Sequence, residues 1–209
     1  ALDVDSFTKA WEEDVMVLDV RSIKAFPKAF IPGSVFVGLD GMFATWVGTI
    51  IKGLDQKILL VVDPGREEEA ILRLARVGYE NVIGYLNGGF ESWFSADLQT
   101  DSFGEVSSEE LAELNKSNDL DVIDVRKPGE FENSHVVNAE SFPLDFLNEN
   151  KPDHKKESKC YVYCKGGYRS LIASSLLRNA GYVEVVNVKG GFDALSKTNI
   201  ERTSESCSG

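Results

Sequence analysis

The chain of 209 residues has only two histidines, His135 and His154, and three cysteines, Cys160, Cys164 and Cys207. Two histidines cannot build a dinuclear metal centre, no His-x-His-x-Asp-His cluster is present, and the cysteine spacings fit neither a zinc site nor a disulfide framework. No metal is expected, and thiols left unpaired point to a reducing compartment. The sequence has no apolar run long enough to span a bilayer, no basic and apolar leader and no lipidation signal. Neither membrane insertion nor export is expected, which makes the chain a cytoplasmic one on this reading. Basic residues are scarce as well, 22 against 34 acidic, for a formal net charge of −12. A surface of that sign does not track phosphates, so nucleic acid is excluded as the expected partner and an anion must be held by local donors.

What is present is enough apolar content, 43%, for a proper core, and a repeat. Val17-Leu18-Asp19-Val20-Arg21 recurs as Val122-Ile123-Asp124-Val125-Arg126, an offset of 105. Gly78-Tyr79 followed by Gly88-Gly89-Phe90 recurs as Gly181-Tyr182 followed by Gly190-Gly191-Phe192. Two homologous domains are expected, residues 1–94 and 105–209, the second ending in a short tail, with a polar linker over 95–104. In each, apolar runs of strand length alternate with helical patterns, which predicts an α/β domain with a mainly parallel sheet and helices on both faces. In the second domain Ser107 or Ser108 is expected to cap a helix, and a second helix is expected over Ser170–Ala180.

Between those helices, Tyr161-Val162-Tyr163 runs as a strand into Cys164, and Lys165-Gly166-Gly167-Tyr168-Arg169-Ser170 leads into the helix. A turn with two glycines can aim backbone N–H groups inward, and the helix adds the positive end of its dipole. The pattern reads as a nucleophilic sulfur in an anion cradle. Cys160, four residues earlier, reads as a core residue of the strand, and Cys207 in the Ser/Glu-rich tail as incidental.

The Asp-Val-Arg strand, the Gly-Tyr and Gly-Gly-Phe endings and above all the Cys164–Ser170 loop, with its Cys-x-x-Gly-x-Arg order, resemble two rhodanese-type domains in tandem. The resemblance implies a sulfurtransferase that carries sulfane sulfur from thiosulfate or a persulfide to a thiophilic acceptor as a Cys164 persulfide. It implies no cofactor, small sulfur anions or persulfides as partners, and Lys165, Gly166, Gly167, Tyr168, Arg169 and Ser170 as substrate-binding residues. Arg169 would orient a donor oxyanion through a planar pair of N–H groups. Asp124 and Arg126 read as structural, because Asp19 and Arg21 repeat them in a domain without a thiol, and His135 reads as a hydrogen-bonding loop residue rather than a base. Two other classes share parts of the pattern. One is a non-catalytic carrier or sensor of sulfane sulfur; the other comprises phosphatases and arsenate reductases, whose loop between cysteine and arginine is longer than the four residues present here.

The second domain departs from the family where His-Ile-Pro-Gly-Ala is usual and His135-Val136-Val137-Asn138-Ala139 stands. Asparagine tolerates a left-handed backbone better than other non-glycine residues, so the turn is expected to survive. The first domain departs at the loop. Its expected counterpart of Cys164 is Asp63, followed by Pro64, Gly65, Arg66 and three glutamates, and lying 15 residues before Gly78 against 17 from Cys164 to Gly181. It is expected to be inactive. The apolar segment Gly41–Ile51 reads as a buried helix. Together with the tandem order it is similar to the C-terminal part of fusion proteins in which a metallo-β-lactamase-fold domain precedes two rhodanese domains, implying a partner of that fold.

Overall fold

The computed structural model describes residues 1–116, 120–147, 150, 152 and 154–203. The chain divides into two compact units, Ala1–Ser102 and Phe103–Gly209.

In the first unit, helix α1 (Val4–Glu12) is followed by strands β1 (Met16–Asp19) and β2 (Val35–Phe36), helix α2 (Phe43–Ile50), strand β3 (Ile58–Val61), helix α3 (Glu67–Ala75), strand β4 (Val82–Tyr85) and helix α4 (Phe90–Ser95). The four strands are parallel in the order β2-β1-β3-β4. All four residues of β3 are apolar and buried, as a strand covered on both faces by crossover helices requires. The predicted buried helix exists as α2, with Phe43, Trp46, Val47 and Ile50 inward. Trp93 on α4 is fully buried between the rings of Phe7 and Trp11, and its Nε1–H donates to the carbonyl of Gln99 at 2.8 Å. Phe30 and Asp101 pair through both backbone N–H groups at 2.9 Å, so residues 99–101 lie against this unit rather than hanging free.

The second unit contains β5 (Gly104–Val106), α5 (Ser108–Asn115), β6 (Asp121–Asp124), α6 (Pro128–Asn133), β7 (Glu140–Ser141), β8 (Lys159–Tyr163), α7 (Tyr168–Asn179), β9 (Glu184–Val188) and α8 (Gly191–Leu195). Its parallel sheet has the order β5-β9-β8-β6-β7. This repeats the first sheet with one strand added, and in the first unit a single parallel bridge, Leu2 to Leu86, stands where β5 meets β9. Ser107 caps α5 reciprocally with Glu110, at 3.1 Å and 2.8 Å. Asn138 has φ +65°, the left-handed conformation that Gly33 adopts in the first unit, so the altered turn is conserved in shape.

The two repeated motifs meet in space, which explains why they recur together. Arg126 closes on the fully buried Asp124 through Nε (3.0 and 2.9 Å) and Nη2 (2.6 Å), and its Nη2 also donates to Ser134 O at 2.7 Å. Its guanidinium lies 3.9 Å from the centre of the Phe192 ring of the Gly-Gly-Phe motif. Asp19, Arg21, Ala29 and Phe90 build the same arrangement in the first unit, with the ring at 4.2 Å. Arg126→Met should therefore destabilise the fold by ~3–5 kcal/mol in urea denaturation, because it leaves Asp124 charged and unpaired in the interior. A loss below ~1 kcal/mol would show the pair to be dispensable.

Candidate active site

Strand β8 is central in its sheet and ends at Tyr163, so Cys164 stands at the carboxyl edge, where α/β sheets open toward ligands. Its side chain is 1% exposed. The chain then turns through Lys165 and Gly166, both exposed, to Gly167, whose φ of +102° reverses it into α7. No side chain with a Cβ adopts that angle without strain. As a result α7 begins at Tyr168, two residues before the predicted start, and its first turn lies beside the sulfur.

The Gly167 N–H donates to Cys164 Sγ at 3.1 Å. Ser170 Oγ lies 3.6 Å from the same sulfur and is itself fixed, 3.1 Å from Gly167 O and 2.7 Å from Asn187 Oδ1. The back of the loop is held by α8: Phe192 N–H donates to Cys164 O at 2.7 Å and Asp193 N–H to Lys165 O at 3.0 Å. A Cβ on Gly191 would sit 2.3 Å from Cys164 O, so the close approach exists only because that residue is glycine. The second Gly-Gly-Phe copy thus serves the loop twice, through its glycine and through its helix N–H groups.

Arg169 departs from expectation. The fork that would orient an oxyanion is filled by Glu130 of α6, with Nη1 2.7 Å from Oε2 and Nη2 2.9 Å from Oε1. Glu130 also accepts the Lys127 N–H at 3.1 Å. Its hydrogen bond to Arg169 holds the Glu130 carboxyl down at about 2, and Arg169 is raised by the same bond with a further contribution from the nearby Cys164. Sequence reasoning passed over Glu130 and Asn187, which lie 39 and 17 residues from the groups they bind. The one available signal was the repeat, which sets Ala25 opposite Glu130 at the same offset as Arg21 and Arg126.

Cys160 and His135 fall outside this cluster. Cys160 is buried in β8 and its thiol is pushed up to about 12, by burial and then by Asp121, which keeps it protonated. His135 stacks on Phe131 with ring centres 3.6 Å apart, and its Nδ1 is 2.7 Å from Phe131 O. Tyr168 is half-buried, and Cys207 lies outside the described residues. Among the described residues no group of three His, Cys, Asp or Glu is placed to hold a metal ion, and no helix is long and apolar enough to cross a membrane.

The first unit corrects the expected loop alignment. Asp19 pairs with Val61 as Asp124 pairs with Tyr163, and Gly89 faces Val62 O as Gly191 faces Cys164 O. The counterpart of Cys164 is Val62, not Asp63, and the spacing to Gly78 is then 16 residues, one fewer than in the second unit rather than two. Strand register decided this, and a gap in the helix hid it from the sequence. Gly65 takes the place of Gly167, with φ +89°, but its N–H donates to the Glu67 carboxylate at 2.8 Å. The unit's own anion occupies the donor that meets sulfur in the second unit. Val62→Cys in a Cys164→Ser background should therefore take up no sulfur from glutathione persulfide by intact-protein mass spectrometry. A sulfur adduct at residue 62 would show that Glu67 does not block the loop.

Comparison with known proteins finds the rhodanese-like domain family matching twice, over residues 4–96 and 107–198. The uncharacterized protein YqhL of Bacillus subtilis is 41% identical over 71 residues, covering 34% of this chain and 56% of YqhL, so the chain spans little more than half of that relative's length. The thiosulfate sulfurtransferase GlpE of Coxiella burnetii is 32% identical over 91 residues, covering 44% of this chain and 85% of GlpE. Among solved structures, a rhodanese-like domain protein from Staphylococcus aureus is 29% identical with a TM-score of 0.43, over 47% of this chain and 97% of that one.

Proposed function

The chain belongs to the rhodanese-like domain family, and from that premise we propose that its second unit is a sulfurtransferase in which Cys164 carries the sulfur. The observation that carries the reading is the position of the sulfur: at the end of the central strand, 3.1 Å from the Gly167 N–H and beside the first turn of α7. An N–H and a helix N-terminus favour negative charge there, which suits both the attacking thiolate and the persulfide formed from it. The exposed Lys165 and Gly166 and the half-buried Tyr168 and Arg169 form the rim on which a donor would rest, and the buried Gly167 and Ser170 support the sulfur. Sulfurtransferases named among the relatives support the reaction class.

In the first step the Cys164 thiolate attacks the outer sulfur of thiosulfate or of a thiol persulfide, and sulfite or a thiolate leaves. In the second, an acceptor such as cyanide or a thiol attacks that sulfur and restores the thiolate. No protein base is needed when the nucleophile is already an anion, which suits a site whose two histidines are bound elsewhere, His135 to Phe131 and His154 between Asp121 and Glu140. The first unit, with Val62 and Glu67 in its loop, is a non-catalytic companion on this reading. The cytoplasm as location and a partner of metallo-β-lactamase fold belong to the same proposal and rest on the sequence alone. Intact-protein mass spectrometry after incubation with thiosulfate or glutathione persulfide should show one added sulfur, reversed by cyanide. A chain that takes no sulfur from either donor would refute the proposal.

A further inference from the structure

Arg169 brings the loop a guanidinium whose charge is already answered. A bidentate carboxylate–arginine pair is among the stronger polar contacts available to a protein, and here it consumes the end of the guanidinium that best matches a planar or trigonal oxyanion. Glu130 is fixed for this task at two points, since its Oε2 also accepts the Lys127 N–H that opens α6. The first unit has Ala25 at this position and no arginine paired there, so the device belongs to the half that holds the thiol.

We propose that Glu130 is a specificity-determining residue, which fills the Arg169 fork and so turns the Cys164 loop away from thiosulfate and toward thiol persulfides. The inference rests on the sulfurtransferase reading of Cys164. Thiosulfate presents three oxygens that match the guanidinium fork, and to use that fork it must displace Glu130. A thiol persulfide, R–S–S–H, carries no oxyanion on its outer sulfur and makes no use of the fork. Its outer sulfur is attacked by the Cys164 thiolate, the new sulfur–sulfur bond forms, the bond from that sulfur to R–S breaks, and R–S leaves with the electron pair as a thiolate. The proton stays on the transferred sulfur, and no outside oxidant or reductant is consumed. Because Glu130 is held at about 2, the pair stays charged at any pH well above that value, so the preference is built in rather than switched by pH.

The test compares kcat/KM for thiosulfate and glutathione persulfide in the full chain and in Glu130→Gln and Glu130→Ala. The unaltered protein should prefer glutathione persulfide by about tenfold or more, and either variant should raise the thiosulfate-to-persulfide ratio about tenfold, mainly through a lower KM for thiosulfate. An unmoved ratio in a variant that still melts cooperatively would overturn the inference while leaving the sulfurtransferase reading in place. So would equal use of both donors by the unaltered protein, a measurement that needs no variant to fold. Failure of both donors to load Cys164 at all would instead remove the reading on which the inference stands.

Discussion

Replacing Cys164 by serine should abolish sulfur uptake and lower turnover with any donor by roughly a thousandfold or more, with the fold intact. The substitution changes one atom in a side chain that is 1% exposed, and a hydroxyl oxygen can still accept the Gly167 N–H and meet Ser170, so stability should move by no more than ~1 kcal/mol. What disappears is the soft, polarisable sulfur nucleophile. A serine hydroxyl would need a base, and both histidines are bound away from the loop. Intact-protein mass spectrometry with glutathione persulfide and a thermal melt give the two readings together. Retained sulfur loading in a folded Cys164→Ser variant would move the chemistry to another residue.

Gly191→Ala should cost more turnover than any other single change away from the sulfur. Its φ of +54° already strains any residue with a Cβ, and that Cβ would lie 2.3 Å from Cys164 O, 2.7 Å from Lys165 O and 2.8 Å from Lys165 C. All three are backbone atoms, so relief comes only by moving the loop or by unwinding α8. Either route breaks the Phe192 and Asp193 N–H bonds that hold the loop from behind. A destabilisation of ~2–4 kcal/mol is expected from strain and lost bonds, and a displacement of about 1 Å at the nucleophile costs on the order of a hundredfold in kcat/KM. Gly190→Ala separates the two effects. That residue is also left-handed, at φ +75°, but its Cβ would meet the Ala194 methyl at 2.7 Å and not the loop. It should cost stability with a far smaller loss of turnover. Equal losses of turnover in the two variants would show that Gly191 acts through general stability alone.

The repeat, the two domains and the loop were legible because each is written in contiguous residues: an apolar strand, two glycines, a helical stripe. The turn at Asn138 was legible for a chemical reason, since few residues other than glycine accept that conformation. What stayed hidden depends on pairing between distant segments. The counterpart of Cys164 in the first unit is set by the register of β1 against β3, and reading the loop without that register placed it at Asp63, one residue late. Glu130 is a first-turn carboxylate of α6, and only the folded chain sets it against Arg169. Asn187 sits among the valines of β9, and only the folded chain sets its side-chain oxygen to accept from the hydroxyl that supports the sulfur.

The all-parallel strand order also sets how these units must form. Neither sheet contains a hairpin: β1 reaches β3 only after β2 and α2 have been passed, and β6 reaches β8 only after α6 and β7. Even strands that follow one another in the chain, such as β1 and β2 or β8 and β9, pair only across an intervening crossover, and loop-closure entropy is spent before any ladder bond repays it. Refolding of each unit should be slow for its size, in milliseconds to seconds rather than microseconds. During that interval the central segments Ile58–Val61 and Cys160–Tyr163, wholly buried at the end, are uncovered together with their backbone donors and acceptors. These two stretches are where association between unfinished chains would begin, and lowering protein concentration during refolding should raise the yield more than any change made to the finished surface.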